Sequence, residues 1–210
     1  MKNLKKKLLN YDIILFDLDD TIYSQKDYDN PALYHVSKFL EKKIKVDRNI
    51  IFNKLRKLKK IRRGLAPKPV FDIFLKNYDF IKKQKIISSC ISLFQKYECK
   101  ELKNSKSLKI FLKSIHKKKK LFIVTNGPKV RQENKIKYLK IKKFFKKIFI
   151  LDGVKKEIKP SITHVKYLVK YLKVNKNLKS VFVGDNKDSD YKFAKNLKIN
   201  FIFYQFPLAK

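Results

Sequence analysis

Five short apolar runs, separated by stretches of helical periodicity, constrain the fold of this chain more than any other feature. The runs cover residues 11–16, 121–125, 147–151, 180–184 and 200–206. Helical patterns cover residues 107–118, 130–145, 161–174 and 190–198. Continuous apolar runs are typical of strands buried on both faces of a parallel sheet, and here helices alternate with them. The sequence therefore predicts an α/β fold with a Rossmann-like, doubly wound parallel sheet.

The interval between the first and second apolar runs breaks this alternation. It contains only helical patterns, over residues 31–44, 47–63, 70–78 and 79–98, with a Gly- and Pro-containing break at 64–69. A block of helices between the first strand and the next sheet element indicates an inserted domain. We therefore predict an α/β core formed by residues 1–23 and 105–210, and an all-helical cap domain formed by residues 24–104.

The formal net charge of +36 would suit a polyanionic partner such as nucleic acid. However, only five of the 54 Lys and Arg residues are arginines. Phosphate and base recognition draws heavily on the bidentate Arg side chain. Residue types with A/T-rich codons, such as Lys, Ile, Asn, Phe and Tyr, are abundant. A biased genome explains the charge better, so a nucleic-acid partner is not favoured.

Cysteine use and the N-terminus both indicate a cytoplasmic protein. Cys90 and Cys99 have no second pair with which to form a metal site or a disulfide framework, so we expect reduced thiols. The apolar run behind the basic N-terminus is short and is followed at once by acids, unlike a secretory leader. No run approaches the roughly 20 apolar residues that span a bilayer, so we expect no membrane partner.

The segment FDLDDT, residues 16–21, places two carboxylates at the end of the first predicted strand. Ligands of an open parallel sheet bind beyond the carboxyl ends of its strands, where Asp17 falls. Side chains at i and i+2 near a strand end point to the same side, so Asp17 and Asp19 can face one reacting atom. Two like charges this close require a cation or a shared proton. A turn with Asx-type hydrogen bonds is the structural alternative.

Further polar residues occur at the end of the second strand, before the helix pattern at 161–174, and after the fourth strand. They are Thr125, Asn126, Lys159, Asp185 and Asp190. Pro160 follows the lysine and is expected to open that helix. Together with the first two acids, these residues predict one pocket that combines carboxylates, a hydroxyl and a lysine.

Four motifs, in this order, resemble those of the haloacid dehalogenase (HAD) superfamily. They are DLDDT at 17–21, TN at 125–126, KP at 159–160 and GDNKDSD at 184–190. The resemblance spans essentially the whole chain and is to the phosphatase-type branch with a helical cap. FDLDDTIY followed by such a cap is also somewhat similar to pyrimidine 5'-nucleotidase-like members. The resemblance implies a Mg²⁺-dependent phosphatase that hydrolyses a small phosphomonoester through an aspartyl-phosphate intermediate.

The resemblance also implies how the acids divide the chemistry. Asp17 is the nucleophile, and Asp19 is the general acid for the leaving alcohol and then the base for water. Mg²⁺ is held by the Asp17 carboxylate, the Asp19 backbone carbonyl and Asp185. Asp190 lies in the outer coordination shell of the metal, and Asp188 is the less favoured substitute for it.

The remaining motif residues are expected to bind phosphate. By the same resemblance, Thr125 and Asn126 hold the transferring phosphoryl oxygens. Lys159 takes part in catalysis by offsetting the charge of the nucleophile and the phosphate. Thr21 steadies the loop of the first motif.

Substrate identity is expected to depend on the cap. A nucleoside monophosphate is the first expectation and a sugar phosphate the second, either being a small phosphorylated metabolite. Arg62, Arg63 and Lys68, around the break at 64–69, are candidates for contact with a second anionic group. Tyr23 and Tyr28 are expected either to stack on a base or to line the hinge.

Three alternative functions remain at this point. A phosphomutase would share the core motifs. A haloacid dehalogenase would also use the first aspartate as nucleophile, but it needs neither Mg²⁺ nor a leaving-group acid, so Asp19 and the acidic fourth motif favour phosphate. A basic polyanion-binding protein on a HAD scaffold is the third, although carboxylates beside an anionic ligand disfavour it unless a metal is bound.

Overall fold

The chain forms two compact units. The computed structural model describes residues 2–61, 70–78, 82–102, 106–153 and 157–206. The first unit consists of residues Met1–Gln25 and Lys100–Lys210, and the second of Lys26–Cys99. These boundaries lie two and five residues from the ones expected at 23/24 and 104/105.

The first unit contains a five-stranded parallel sheet. Its strands are β1 (Ile13–Phe16), β2 (Lys120–Asn126), β3 (Lys147–Leu151), β4 (Ser180–Gly184) and β5 (Asn200–Phe203). The order across the sheet is β3-β2-β1-β4-β5, and all neighbouring pairs are parallel. The predicted Rossmann-like α/β fold is confirmed. Because the chain places β2 on one side of β1 and β4 on the other, a crevice forms at the carboxyl end of β1.

Helices occupy most of the remaining described residues. They are α1 (Lys2–Lys7), α2 (Lys26–Ile44), α3 (Arg48–Ile61), α4 (Val70–Leu75), α5 (Lys83–Lys96), α6 (Lys106–Ile115), α7 (Lys129–Leu139), α8 (Lys166–Val174) and α9 (Lys192–Asn196). All except α1 correspond to a helical pattern in the sequence. The described part of the second unit contains α2 to α5 and no strand.

The helix expected to open at Pro160 begins later, so this prediction is wrong. Residues Thr163–Val165 form a 3₁₀ turn, and α8 starts at Lys166. The hydroxyl of Ser161 accepts a hydrogen bond from the backbone N–H of Thr163 at 3.3 Å. A Ser side chain that bonds to nearby backbone competes with helix formation, which explains the delay.

Helices cover both faces of the sheet. On one face, Phe16 of β1 meets Phe111 of α6 edge to face, with ring centroids 6.4 Å apart. On the other, Phe182 of β4 meets Phe193 of α9 at 5.5 Å. The central strands β1, β2 and β4 are therefore buried on both sides, which accounts for their continuous apolar sequences, whereas the edge strands β3 and β5 are partly exposed.

The helical unit has an apolar core of its own. Its buried members come from all four helices and are Leu33, Val36, Leu40, Ile51, Leu55, Phe71, Phe74, Leu75, Ile87 and Cys90. An ion pair between Lys59 and Asp29, with nitrogen and oxygen 2.9 Å apart, joins α3 to α2. Cys90 and Cys99 are both buried, and neither forms a disulfide. Among the described helices, none has the length and apolar character required to cross a membrane.

Adjacent isoleucines on α3 provide a test of the helical core. Ile51 is fully buried, whereas Ile50 is 50% exposed. We expect Ile51→Ala to lower the free energy of unfolding by about 2–5 kcal/mol, because it leaves a cavity, and Ile50→Ala to change it by about 0.5 kcal/mol or less. Urea unfolding of both variants measures this. An equal loss of unfolding free energy in the two variants would contradict the burial of Ile51 in the helical core.

The buried thiol of Cys90 provides a second test. Burial raises the pKa of this thiol from 9.0 to about 12. The thiolate is the reactive form, so a raised pKa lowers the reactive fraction at both pH 7 and pH 9. We expect Cys90 to resist alkylation in the native protein at both values and to react once the protein is unfolded in urea. Peptide mass mapping identifies the modified residue. Alkylation of Cys90 in the folded protein as fast as that of an exposed thiol would contradict the prediction.

Candidate active site

The polar residues at the strand ends meet beyond the carboxyl edge of the sheet. Asp17 follows β1, Thr125 and Asn126 end β2, and Asp185 follows β4. Since β1 lies between β2 and β4, the three strand ends are neighbours. The backbone N–H of Asp17 still donates to the carbonyl of Val183 at 2.9 Å, so the sheet hydrogen bonds fix the first residue of the site.

Lys159 lies at the centre of this group. Its ammonium nitrogen is 2.5 Å from a carboxylate oxygen of Asp17 and 2.7 Å from one of Asp190. All three side chains are at least nine-tenths buried. Burial alone would lower the pKa of Lys159, but the two carboxylates outweigh it and raise the pKa above its usual value. The lysine is therefore a permanent cation between two acids.

Asn126 holds the backbone on which Lys159 sits. Its side-chain oxygen accepts a hydrogen bond from the backbone N–H of Lys159 at 2.9 Å. Its side-chain nitrogen donates to the Lys159 carbonyl at 3.4 Å. The sequence predicts that Asn126 contacts phosphoryl oxygens; the contacts observed instead position the lysine, and the phosphoryl contact stays a prediction.

Three carboxylates form a cluster that could hold a metal ion. Asp17, Asp185 and Asp190 each offer an oxygen, and these oxygens lie within 4.8 Å of one another. Burial raises the pKa of Asp17 well above its usual value, and repulsion from Asp190 and Asp19 adds to this, although Lys159 opposes it. One lysine does not balance these acids. Hard carboxylate oxygens beside uncompensated negative charge suit a divalent cation such as Mg²⁺.

The loop after β4 is shaped to present Asp190. A side chain at Gly184 would place its Cβ 2.3 Å from a carboxylate oxygen of Asp190, so only glycine fits there. The backbone N–H of Asn186 donates to the same carboxylate at 3.1 Å. Asp188, the less favoured acid of this motif, is exposed and pairs with Lys192 at 3.0 Å.

Asp19 lies in a separate set of contacts. Its carboxylate accepts hydrogen bonds from the Tyr23 hydroxyl at 2.5 Å and from the Gln132 side-chain nitrogen at 3.0 Å. The Lys135 ammonium contacts both carboxylate oxygens, at 2.7 and 2.8 Å. Burial would raise the pKa of Asp19, but Lys135 and Arg131 outweigh it and hold the pKa well below its usual value. The two acids of the first motif thus have opposite environments.

The loop between these acids and the helical unit is tightly held. Asp20 has a left-handed backbone, with a φ of 54°, which Asp tolerates better than most residues. Its carboxylate accepts from the N–H of Gln25 at 3.0 Å, and its carbonyl accepts from the N–H of Phe206 at 2.6 Å. Thr21 is buried, and no partner for its hydroxyl occurs among the described residues. Its predicted role in steadying this loop stays a prediction.

Of the two roles expected for Tyr23 and Tyr28, stacking on a base or lining the hinge, the structure disfavours stacking. Tyr23 is 3% exposed and bonds to Asp19, and Tyr28 is fully buried and donates to the carbonyl of Tyr97 at 2.5 Å. Neither ring is accessible for stacking on a base. A hydroxyl that satisfies a buried acceptor explains both positions. Arg62, Arg63 and Lys68 lie outside the described residues.

Sequence reasoning missed Gln132 and Lys135. Both lie on α7 at i and i+3, so they share one face of the helix. Both are 1% exposed. The spacing of two polar residues within the apolar face of that helix was the available indication, but in a chain so rich in lysine it carries little weight.

Comparison with solved structures finds the same fold in proteins of low sequence identity. YfnB of Bacillus subtilis, bound to magnesium, is 17% identical, with coverage of 92% of this chain and 88% of that one and a TM-score of 0.62. A HAD phosphatase from Thermococcus onnurineus is 22% identical, covering 92% and 86%, with a TM-score of 0.58. A 2-haloacid dehalogenase from Pseudomonas syringae pv. tomato DC3000 is 18% identical, covering 92% and 86%, with a TM-score of 0.57. Comparison with curated proteins gives no significant match.

These similarities of low sequence identity establish only the fold. A family model establishes the family. The model for haloacid dehalogenase-like hydrolases matches residues 14–204. This range covers nearly the whole chain and contains all four motifs. The protein therefore belongs to the haloacid dehalogenase-like hydrolase family.

Proposed function

We propose that this hydrolase is a Mg²⁺-dependent phosphatase that cleaves a small phosphomonoester through an aspartyl-phosphate on Asp17. One observation carries the proposal: the buried Asp17 carboxylate clusters with those of Asp185 and Asp190, and Lys159 touches it. An anionic nucleophile attacks an anionic phosphate only where positive charge offsets both. This arrangement supplies one cation and the ligands for a second.

The chain's own residues account for the first half of the reaction. Asp17 attacks phosphorus and forms a phosphoryl–carboxylate bond while the bond to the leaving oxygen breaks, which divides one hard hydrolysis into two easier steps. Asp19 is proposed to deliver the proton that the leaving oxygen needs, and because Lys135 and Arg131 keep its pKa low, it must take up that proton before this step. Thr125 lies at the end of β2, beside this site, where its hydroxyl is proposed to contact the phosphoryl oxygens.

A divalent cation fits the same cluster. Mg²⁺ would be held by the carboxylates of Asp17 and Asp185 and the backbone carbonyl of Asp19, with Asp190 in the outer coordination shell. When bound, it would neutralise charge on the phosphate and relieve the repulsion among the acids. Lys159 remains the fixed cation and orients Asp17.

Carbon–halogen cleavage is the less favoured chemistry. Displacement of a halide leaves a stable anion that needs no proton, so such an enzyme has no use for Asp19 as a proton donor. Here three side chains, among them the buried Lys135, bond the carboxylate of Asp19, an arrangement costly to keep without a role. Phosphate esters, whose alcohols are poor leaving groups, make use of it. A phosphomutase would share these features.

The proposed substrate is a small phosphorylated metabolite. A nucleoside monophosphate is the first candidate and a sugar phosphate the second, by the resemblance of the first motif to nucleotidase-like members. The helical unit is proposed to act as the cap that selects between them. Two buried cysteines that form no disulfide agree with a reducing compartment, so we place the reaction in the cytoplasm.

Replacement of the nucleophile tests the reaction. With p-nitrophenyl phosphate and Mg²⁺, we expect the wild-type protein to release phosphate and Asp17→Asn to lose at least about a thousandfold in turnover, because the amide cannot form the intermediate. EDTA should abolish the wild-type rate. Circular dichroism of the variant controls for folding. Full turnover in a folded Asp17→Asn protein would rule out the nucleophile role.

Binding of the metal can be measured without turnover. At a Mg²⁺ concentration about 100 times the Kd, binding stabilises the folded protein by about 2.7 kcal/mol, so the Tm should rise by several degrees. Asp185→Asn should remove this rise, whereas the exposed Asp188→Asn should keep it. Because protons compete with the metal for Asp17, whose pKa is raised, the rise should shrink as the pH is lowered. An equal rise in both variants would exclude Asp185 as a ligand.

A further inference from the structure

The described part of the chain buries only two of its lysines, and each pairs with an acid of the first motif. They are Lys159, on Asp17, and Lys135, on Asp19. Removing an ammonium group from water costs several kcal/mol, so a buried lysine needs a charged partner in good geometry. The family motifs account for Lys159. They do not account for Lys135.

The contacts of Lys135 fix the Asp19 carboxylate as a whole. Its nitrogen lies at 2.7 and 2.8 Å from the two carboxylate oxygens, so it spans the carboxylate edge. The Tyr23 hydroxyl donates to one of these oxygens at 2.5 Å. The Gln132 side chain donates to the other at 3.0 Å. With donors on both oxygens, rotation of the carboxylate would break at least one contact.

Gln132 also connects Asp19 to the end of β2. The same side-chain nitrogen lies 2.6 Å from the Thr125 hydroxyl and 3.2 Å from the Asn126 carbonyl. Helix α7 therefore sets the position of Asp19 relative to the strand that carries the second motif. A rigid element that orients a reacting group through hydrogen bonds is how active sites preorganise their chemistry.

We propose that Tyr23, Gln132 and Lys135 are positioning residues that hold the Asp19 carboxylate in place to accept the proton of the attacking water when the phosphoryl enzyme is hydrolysed. This inference rests on the proposed phosphatase function. In that step a water O–H bond breaks and its proton passes to Asp19. The water oxygen bonds to phosphorus, and the phosphorus–oxygen bond to Asp17 breaks with its electron pair returning to the carboxylate.

Rapid-quench kinetics with p-nitrophenyl phosphate isolate this step. The p-nitrophenolate leaving group needs little help from an acid, so formation of the phosphoryl enzyme depends weakly on Asp19, whereas its hydrolysis depends on the base. We expect Lys135→Met to slow the hydrolysis by about tenfold or more. The variant should then show a burst of p-nitrophenolate and accumulate phosphoryl enzyme, detected by intact mass.

Three variants separate positioning from a purely structural role. Lys137→Met removes an exposed lysine from the same helix and should behave as wild type. Tyr23→Phe deletes one hydroxyl and should cause a smaller burst of the same kind, even if Lys135→Met fails to fold. In a protein that already carries Asp19→Asn, the further change Lys135→Met should lower the hydrolysis rate little, because the lysine acts through the Asp19 carboxylate.

The outcomes are distinguishable. If the wild-type protein turns over and Lys135→Met or Tyr23→Phe accumulates phosphoryl enzyme, the inference holds. If the wild-type protein turns over but the folded variants lose rate without accumulation, or lose nothing, the positioning role is overturned and the phosphatase function stands. If the wild-type protein has no phosphatase activity, both fail together.

Discussion

The buried contact of Lys159 with Asp17 and Asp190 is the interaction on which the rest of the site depends. It connects the end of β1 to the loop after β4 and to the segment after β3, three parts of the chain far apart in sequence. A lysine buried this deeply is stable only while both acids surround it. Asn126 adds the end of β2 by holding the lysine backbone. One buried ammonium group therefore holds the ends of these strands together at the site.

The overall charge of the protein and the charge of its site have opposite signs. The chain carries +36, yet the pocket beyond β1 gathers three clustered carboxylates with one contacting lysine. A lysine on the surface is well solvated and interacts weakly with its neighbours. A buried lysine faces little screening and controls the acid beside it. The proposed chemistry therefore depends on two buried ammonium groups rather than on the many exposed ones.

The sequence predicts the parts of this protein that follow from periodicity and from the strand-end rule. Continuous apolar runs locate the five strands, and acids directly after β1 and β4 must meet at one edge of a parallel sheet. It does not predict the contacts of Lys135, because the position of one lysine on the apolar face of α7 is a weak indication of burial in a chain with so many lysines. Nor does it predict the late start of α8, since the Ser161 hydrogen bond that delays the helix depends on local geometry.

The two acids of the first motif, only two residues apart, have pKa values shifted in opposite directions. Burial among like charges raises the pKa of Asp17, whereas Lys135 and Arg131 hold that of Asp19 low. Such divergence assigns different tasks to chemically identical groups. Asp19 is already a carboxylate through its protein contacts, as a base requires. In the proposed reaction, a bound cation would further favour the carboxylate form of Asp17 that attacks phosphorus, whereas the protein contacts of Asp19 alone already favour the form that accepts a proton from water.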